Sequence, residues 1–244
     1  MNFQKNIAIA IVCFSSLTTT SVIAQNYAQD MGKIRESYKK GSLSFNMKYV
    51  YYPYDSIKRA TDSLHGTCSI SGDFYYYTVA NGTDKCEYLK NEKYYMVIDN
   101  SNKAIAVNYS SKAQQDLWNI DKVDSMLKNP GIKVGYKLLG KEKAQYVLRY
   151  AKGSVWARIR IVFDKANYIL SEVWFYSDAK GTIQGESYNK PKIGIFYSAF
   201  KETIPDKNIF SEKKYIEDSG KEIVLKGEYR KYRLLNYMRL EKKS

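Results

Sequence analysis

The sequence is poor in the residues that build catalytic and metal sites. Its 244 residues include one histidine, His65, and three cysteines, and no CxxC pair or other metal-ligand spacing occurs. No local pattern indicates a nucleophile with its base or a pair of catalytic carboxylates. His65 is interpreted as an exposed residue of a strand. We therefore expect a protein that is not an enzyme and that uses no cofactor and no metal.

Long hydrophobic runs are also missing, since nothing after the N-terminal region approaches the apolar length of a membrane helix. The run NIAIAIVCF, residues 6–14, is too short to span a bilayer and is followed by the small-x-small site Val22-Ile23-Ala24. This pattern is typical of a secretory signal peptide. We expect cleavage between Ala24 and Gln25, no lipid anchor on Cys13, and a periplasmic protein.

Acidic residues are the scarcer charge, with 25 Asp and Glu against 39 Lys and Arg and a formal net charge of +14. Such an excess suits nucleic acid, an anionic membrane or simple solubility, and predicted export argues against nucleic acid. Most lysines are spread singly along the chain, and the end, YRKYRLLNYMRLEKKS, residues 229–244, is rich in basic residues. That end is either a solvated tail or a contact site for an envelope protein or anionic lipid.

Tyrosine is the abundant residue, with 24 copies against 9 Phe and 3 Trp. A tyrosine ring adds apolar area while its hydroxyl needs a polar partner, which suits a cavity or groove, although strand propensity alone also favours tyrosine. The stretch GDFYYYTVANGT, residues 72–83, places four rings in a row. In a strand, Tyr75 and Tyr77 face one side, and Phe74 and Tyr76 face the other. The predicted sheet therefore carries aromatic residues on both faces.

Hydrophobic periodicity predicts two helices and about eleven mostly antiparallel strands. The apolar residues of 27–38 recur at helical spacing, and those of 112–131 do so before an Asn-Pro-Gly stop. Residues 58–71 and 182–188 each read as one strand. Because several strands have large residues on both faces, we expect a mainly β, antiparallel, strongly curved open half-barrel with the helices plugging its concave face. The predicted domains are the signal peptide, 1–24, the half-barrel, 25–203, and an extension, 204–244, with room for extra strands and a basic tail.

Three local patterns resemble the LolA-like family of periplasmic outer-membrane lipoprotein carriers. The hairpin HGTCSISGDFYYYTV is similar to that family's Gly-and-aromatic hairpin, and CEYLKNEKYYMVIDNSNKAIAV matches an element through Tyr95, Asp99 and Lys103. IRIVFDKANYILSEVWFYSDAKGTIQGESY resembles its strand pair through a set of five residues. These are Ile161, Phe163, Asp164, Asp178 and Gly181.

The resemblance covers about residues 25–203 and implies a half-barrel with a hydrophobic cavity that receives acyl chains. One departure concerns the arginine that the carriers place in the aromatic strand, because here the run is Asp73-Phe74-Tyr75-Tyr76. The fold inference is therefore stronger than the inference of lipoprotein transport. The residues after 204 have no counterpart in the family.

The predicted function is an exported lipid- or lipoprotein-binding carrier or chaperone. The alternative is a non-enzymatic interaction component of an envelope or secretion assembly with the same fold. Apolar residues on the helices and facing strands are the candidates for contact with acyl chains, and a filled core is the competing interpretation. They are Met31, Ile34, Met47, Ile70, Tyr75, Tyr77, Tyr95, Val97, Trp118, Met126, Ile159, Ile161 and Trp174.

Cys68 and Cys86 fall on the second and fourth predicted strands. With one strand between them, their backbones would lie roughly 10 Å apart, beyond the reach of a disulfide. We therefore expect two free thiols.

Overall fold

The structure is a computed structural model that describes residues 26–54, 56–112, 131–154, 156–183, 186–202 and 206–238. The predicted signal peptide lies outside these residues. Most of the second predicted helix, with Trp118 and Met126, also lies outside them.

The described residues form one α-helix, α1, at 26–39, and sixteen strands. The first meander contains β1 Ser42–Tyr52, β2 Asp62–Ser71, β3 Phe74–Asn81, β4 Asp84–Lys90, β5 Tyr94–Asp99 and β6 Ala104–Tyr109. The second contains β7 Lys133–Leu139, β8 Lys143–Arg149, β9 Arg158–Asp164 and β10 Leu170–Tyr176. The remaining strands are β11 Lys180–Ile183, β12 Glu186–Asn189, β13 Lys192–Lys201, β14 Ile216–Asp218, β15 Ile223–Leu225 and β16 Arg233–Asn236.

Twelve of these strands form one sheet in the order β16-β6-β5-β4-β3-β2-β1-β13-β10-β9-β8-β7. Every pairing is antiparallel except that of β16 with β6. Strand β13 joins the two meanders because it pairs with β1 on one side and β10 on the other. The strands β16 and β7 lie at opposite ends of the order, so the sheet is not closed in the described part of the chain. This confirms a mainly β, mostly antiparallel, open sheet.

The strand predictions need three corrections. The main sheet has twelve strands rather than eleven, because the C-terminal extension contributes β16. The strand predicted at 58–71 begins only at Asp62. Residues 182–188 are not one strand but parts of two, β11 and β12, which pair as a separate hairpin.

Helix α1 packs on one face of the sheet, here called the inner face. Its apolar stripe, Tyr27, Met31, Ile34 and Tyr38, is buried, as the 3.6-residue period predicts. The Tyr146 hydroxyl on β8 donates a hydrogen bond of 2.8 Å to Asp30 of the helix. The helix thereby forms one hydrophobic core with the inner faces of β1, β2, β3, β8, β9, β10 and β13.

A bulge in β13 strengthens this packing. The register of β13 against β1 shifts by one residue, and Ala199 adopts a positive φ of 54°. The extra residue turns both Tyr197 and Phe200 toward the inner face, where the Phe200 ring lies 5.2 Å from Phe45 and 6.5 Å from Tyr38. The bulge therefore brings an additional aromatic residue under the helix.

The C-terminal extension covers the opposite, outer face of β3–β6. Hairpin β14–β15 packs there, and β16 pairs with β6 in the main sheet. The second hydrophobic core formed in this way contains Leu89, Tyr94, Met96, Ile98, Ile105, Val107, Tyr215, Ile216, Ile223 and Tyr229. The outer-face aromatics of β3 belong to this layer, since Phe74 lies 6.2 Å from Phe210 and Tyr76 packs against the core. The aromatic residues on both faces of β3 therefore serve two different layers.

A buried carboxylate joins the extension to the sheet. Glu87 on β4 is 3% exposed and accepts hydrogen bonds from the hydroxyls of Tyr76 and Tyr215 and from the Asn100 side chain. The Asn100 oxygen in turn accepts a hydrogen bond of 2.9 Å from the Tyr232 hydroxyl. The prediction of a solvated tail is therefore wrong for residues 229–238, because that segment is part of the packed structure.

Candidate functional site

An aromatic groove lies on the inner face where the sheet extends past α1. It has a volume of about 610 Å³ and is formed by β1–β5 and their turns. Its walls are Tyr49, Leu64, Tyr77, Val79, Ala80, Cys86 and Tyr88, and its polar rim is Asn81, Asp84, Lys85, Asp99, Ser101 and Asn102. Alternation along each strand places the wall residues other than Ala80 on this side, because every second residue faces the same side.

The tyrosine rings of the groove are packed in fixed positions. Tyr77 and Tyr88 are opposite each other on β3 and β4, and their rings stack with centroids 4.2 Å apart. The Tyr49 hydroxyl contacts the Met47 sulfur at 3.7 Å. Burial raises the pKa of Tyr49 to about 12 and also raises the pKa values of Tyr77 and Tyr88. The walls are therefore uncharged across the neutral pH range and present mainly apolar surface.

The rim is polar and internally hydrogen-bonded. Asp99 accepts hydrogen bonds from the Asn102 backbone and side chain at 2.9 and 2.8 Å, and the Ser101 hydroxyl donates to Asp84 at 3.1 Å. The Asn102 hydrogen bonds hold the pKa of Asp99 below its usual value. The groove is thus amphipathic, with apolar walls and a polar rim.

A second recess continues the groove toward the end of the sheet. It has a volume of about 580 Å³, shares Asp99 and Asn102 with the groove, and is lined further by Val97, Ala104, Ala106, Arg233 and Leu235. Arg233 and Leu235 come from β16. The C-terminal extension therefore completes the inner surface as well as covering the outer one.

A third recess of about 1110 Å³ lies between α1 and the turn from β9 to β10. The Lys33 amine donates a hydrogen bond of 3.0 Å to the Tyr168 hydroxyl, and the Ser37 hydroxyl donates one of 3.2 Å to the Tyr168 carbonyl. Lysines and glutamates both line it, as do Leu43 and Phe200. None of the described residues predicted for acyl-chain contact lines this recess.

The described residues of the predicted site lie in the core, in the groove, in the second recess and on the outer face. Six are buried in the core under α1, namely Met31, Ile34, Met47, Ile70, Tyr75 and Tyr77, and three pack partly buried against it, namely Tyr95, Ile159 and Ile161. Of the described residues in the set, Tyr77 lines the groove and Val97 the second recess.

Trp174 is the residue whose placement differs from the prediction, because it lies on the outer face. The register of β10 against β9 shifts between Leu170 and Glu172, so that Val173 and Phe175 face inward instead. The Trp174 indole donates a hydrogen bond of 2.8 Å to Glu172 and lies 5.4 Å from Phe196. Simple alternation from Leu170 gives the wrong face, since a bulge reverses the phase.

The sequence-based set contains Tyr77 but missed the other six wall residues of the groove. Tyr49, Leu64, Cys86 and Tyr88 line the groove beside Tyr77. Alternation placed Tyr49 and Leu64 on defined strand faces, and counting from the turn at residues 81–84 would have paired Tyr88 with Tyr77. The available signal was therefore the register of the hairpin.

Both described cysteines are free thiols, as predicted. Cys68 is buried in the core, whereas Cys86 is half-buried in the groove wall. Burial is the largest influence on Cys86 and raises its pKa. A thiol with a raised pKa is a weak nucleophile at neutral pH.

No group of three or more His, Cys, Asp or Glu side chains among the described residues is arranged to hold a metal ion. No helix in the described part of the chain has the length and apolar character needed to cross a bilayer.

Comparison with known proteins gives structural likeness only. No family model and no curated protein matches the sequence. Among solved structures, an uncharacterised conserved protein from Thermus thermophilus is similar with a TM-score of 0.49 and 11% identity, over 86% of this chain and 99% of that one. A LolA superfamily protein from Nitrosomonas europaea is similar with a TM-score of 0.36 and 13% identity, over 76% and 97%.

The lipoprotein LppX from Mycobacterium tuberculosis is similar with a TM-score of 0.38 and 11% identity, over 72% of this chain and 97% of that one. Since these TM-scores are below 0.5, the function has to be argued from the residues of this chain. A LolA superfamily protein, from the family that the sequence motifs resemble, is thus among the solved structures similar to this chain.

Proposed function

We propose that this chain is an exported, non-enzymatic binding protein that holds an acyl chain of a lipid or lipoprotein in the inner-face groove. The observation that carries the proposal is the aromatic groove of about 610 Å³, a size within the range of small-ligand sites. Its floor is apolar and its rim polar, which matches an acyl chain attached to a polar headgroup.

Apolar burial supplies enough free energy for such a ligand. Each methylene removed from water contributes about 0.8 kcal/mol, so ten methylenes would contribute about 8 kcal/mol before the cost of ordering the chain. The rings of Tyr49, Tyr77 and Tyr88 are held by neighbouring side chains, so little side-chain freedom would be lost on binding. A preorganised apolar wall of this kind favours binding over chemistry.

The titratable groups of the groove also support a non-enzymatic role. Asp99 and Asp84 are engaged by Asn102 and Ser101, and the pKa of Cys86 is raised. None of these groups is paired as nucleophile and base.

The binding site can be tested by filling the groove. Leu64 lines the groove, and the adjacent His65 is exposed on the opposite face of the same strand. We expect Leu64→Trp to weaken binding of a fluorescent fatty acid at least tenfold, because the indole occupies the groove. His65→Trp, the matched control, should change binding less than twofold. Equal affinities of the two variants, or no fatty-acid uptake by the wild-type protein, would contradict the proposal.

Cys86 provides an independent reporter. Dodecanoate should slow the reaction of Cys86 with N-ethylmaleimide at pH 8, as measured on the Cys86 peptide by mass spectrometry, because the thiol lies in the groove wall. Butyrate has the same carboxylate without the chain and should give no protection. Protection by both acids, or by neither, would speak against acyl-chain binding. Native mass spectrometry of gently purified protein would show whether a lipid is already bound.

A further inference from the structure

The outer face of the second half of the sheet carries a row of basic residues. The strand register places one residue from each of six neighbouring strands side by side, in a line across the sheet. In order they are Lys133, Arg149, Arg158, Tyr176, Lys192 and Tyr52. We call these six residues the cationic row. They come from β7, β8, β9, β10, β13 and β1 in spatial order. With neighbouring strands about 4.8 Å apart, the row is about 24 Å long.

The row contains four cations, two tyrosines and no acidic residue. The Arg158 guanidinium lies over the Tyr176 ring at 3.8 Å from its centroid, and the Lys192 amine lies over the Tyr52 ring at 4.9 Å. Cation–π contacts of this kind keep the charges flat against the sheet. Within the described part of the chain Arg158 forms no ion pair, so its charge is available to an anion.

The adjacent row is nearly uncharged. It consists of Gly135, Val147, Arg160, Trp174, Gly194 and Val50. Gly194 leaves space for the indole, since a Cβ there would lie 3.0 Å from the Trp174 ring. Arg160 is paired with Glu172 at 2.6 Å. Trp174 therefore forms an aromatic platform beside the cationic row.

We propose that the cationic row binds an acidic polysaccharide chain. A stripe that is one charge wide and flanked by a mostly neutral row complements a linear polyanion better than a planar membrane. Arginine binds carboxylate and phosphate groups well, and the partly exposed Trp174 ring beside the row can stack on the C–H face of a sugar ring. Acidic polysaccharides and nucleic acids are both linear polyanions that contain rings. Because the chain is predicted to be exported, a polysaccharide is favoured over nucleic acid. The site is separate from the groove, which opens on the inner face.

Binding can be measured by isothermal titration of the full chain with polygalacturonate at low salt. We expect saturable binding, no binding of neutral dextran, and an affinity that falls with added salt. The double variant Arg149→Gln/Arg158→Gln should bind at least tenfold more weakly. The control variant Arg230→Gln/Lys231→Gln removes the same charge from exposed positions of the C-terminal extension, and its affinity should change less than twofold.

Fluorine NMR with 5-fluorotryptophan locates the contact without any charge variant. Polygalacturonate should shift the Trp174 resonance and leave that of Trp156, which packs on the inward-facing Phe175, unchanged. Equal weakening by the two double variants, an unmoved Trp174 resonance, or binding of anionic vesicles or single-stranded DNA without binding of polygalacturonate would overturn the proposal.

Discussion

Removing the Glu87 carboxylate should loosen the C-terminal extension from the sheet. The carboxylate accepts hydrogen bonds from Tyr76, Tyr215 and Asn100 and forms an ion pair of 3.3 Å with Lys85. A hydrogen bond to a charged group contributes about 1.5–3 kcal/mol, but bonds in one network do not add. We therefore expect Glu87→Ala to lower the free energy of unfolding by about 3–5 kcal/mol, because three side-chain donors lose their shared acceptor.

The pH dependence of stability should also reflect the ionised Glu87 carboxylate. Burial, the largest single influence, would raise the pKa of Glu87, but the hydrogen bonds and Lys85 together outweigh it and the pKa is lowered. A lowered pKa stabilises the folded state above the unfolded value of about 4.3, and this contribution is lost as the pH falls through the folded value. The isosteric Glu87→Gln cannot ionise. The stability gap between wild type and this variant should therefore narrow below about pH 4.

Urea unfolding followed by circular dichroism measures these differences, and hydrogen exchange locates them. Exchange should accelerate in β14, β15 and β16 more than in β1 and β2. The exposed Glu217 on β14 provides a matched control, and Glu217→Ala should change the unfolding free energy by less than about 0.5 kcal/mol. If Glu87→Ala costs no more than Glu217→Ala, the reasoning is wrong.

Three further substitutions test the packing of the sheet, each by chemical denaturation. Gly66→Ala should lower the free energy of unfolding by about 3 kcal/mol or more, since its Cβ would lie 2.0 Å from a carbonyl oxygen of β3. In the control Gly135→Ala the added Cβ has only contacts at 3.7 Å and beyond, so the loss should be less than about 1 kcal/mol. Ala199→Gly should stabilise by about 0.5–1 kcal/mol, because φ is positive there; a loss would contradict strain at the bulge. Tyr38→Phe should lower the free energy of unfolding by about 1 kcal/mol, because the hydroxyl accepts a hydrogen bond from the Leu170 backbone. An unchanged denaturation midpoint would show that this hydrogen bond does not stabilise the fold.

The first meander could be predicted from sequence because its determinants are local. Strands β3 to β6 alternate regularly, and Gly72 and Gly82 supply the positive φ that their hairpin turns need. The inner face of β2, with Leu64, Cys68 and Ile70, follows from the same alternation.

The second meander and β13 could be predicted only in part, because bulges in β10 and β13 change the phase of these two strands. The register shift after Leu170 moves Trp174 to the outer face, and Ala199 moves Phe200 to the inner one. Neither position has a glycine or proline that would mark the irregularity in the sequence. The extension was harder still, since β14 and β15 have three residues each and β16 pairs with a strand more than a hundred residues away.

The tyrosine excess has a physical explanation in how the layers are joined. Tyr76, Tyr94 and Tyr215 each bury a ring while donating a hydroxyl hydrogen bond to Glu87 or Asp218, which phenylalanine could not do. Lys93 and Tyr94 together hold the pKa of Asp218 at about 2. The Asp218 carboxylate therefore stays charged at all ordinary pH values. Carboxylates on the sheet and on the extension are thus each bound by tyrosines of the other layer.

This arrangement changes what the basic end of the chain can do. Tyr229 is buried, Tyr232 is bonded to Asn100, and Leu234 packs in the outer core. Because these contacts fix residues 229–238, removing them would expose the outer core and disturb folding before it removed any partner. A loss of partners after such a truncation would therefore not identify a binding tail. Single charge substitutions at exposed positions such as Arg230, which leave the packed layer intact, are needed to separate a docking role from a structural one.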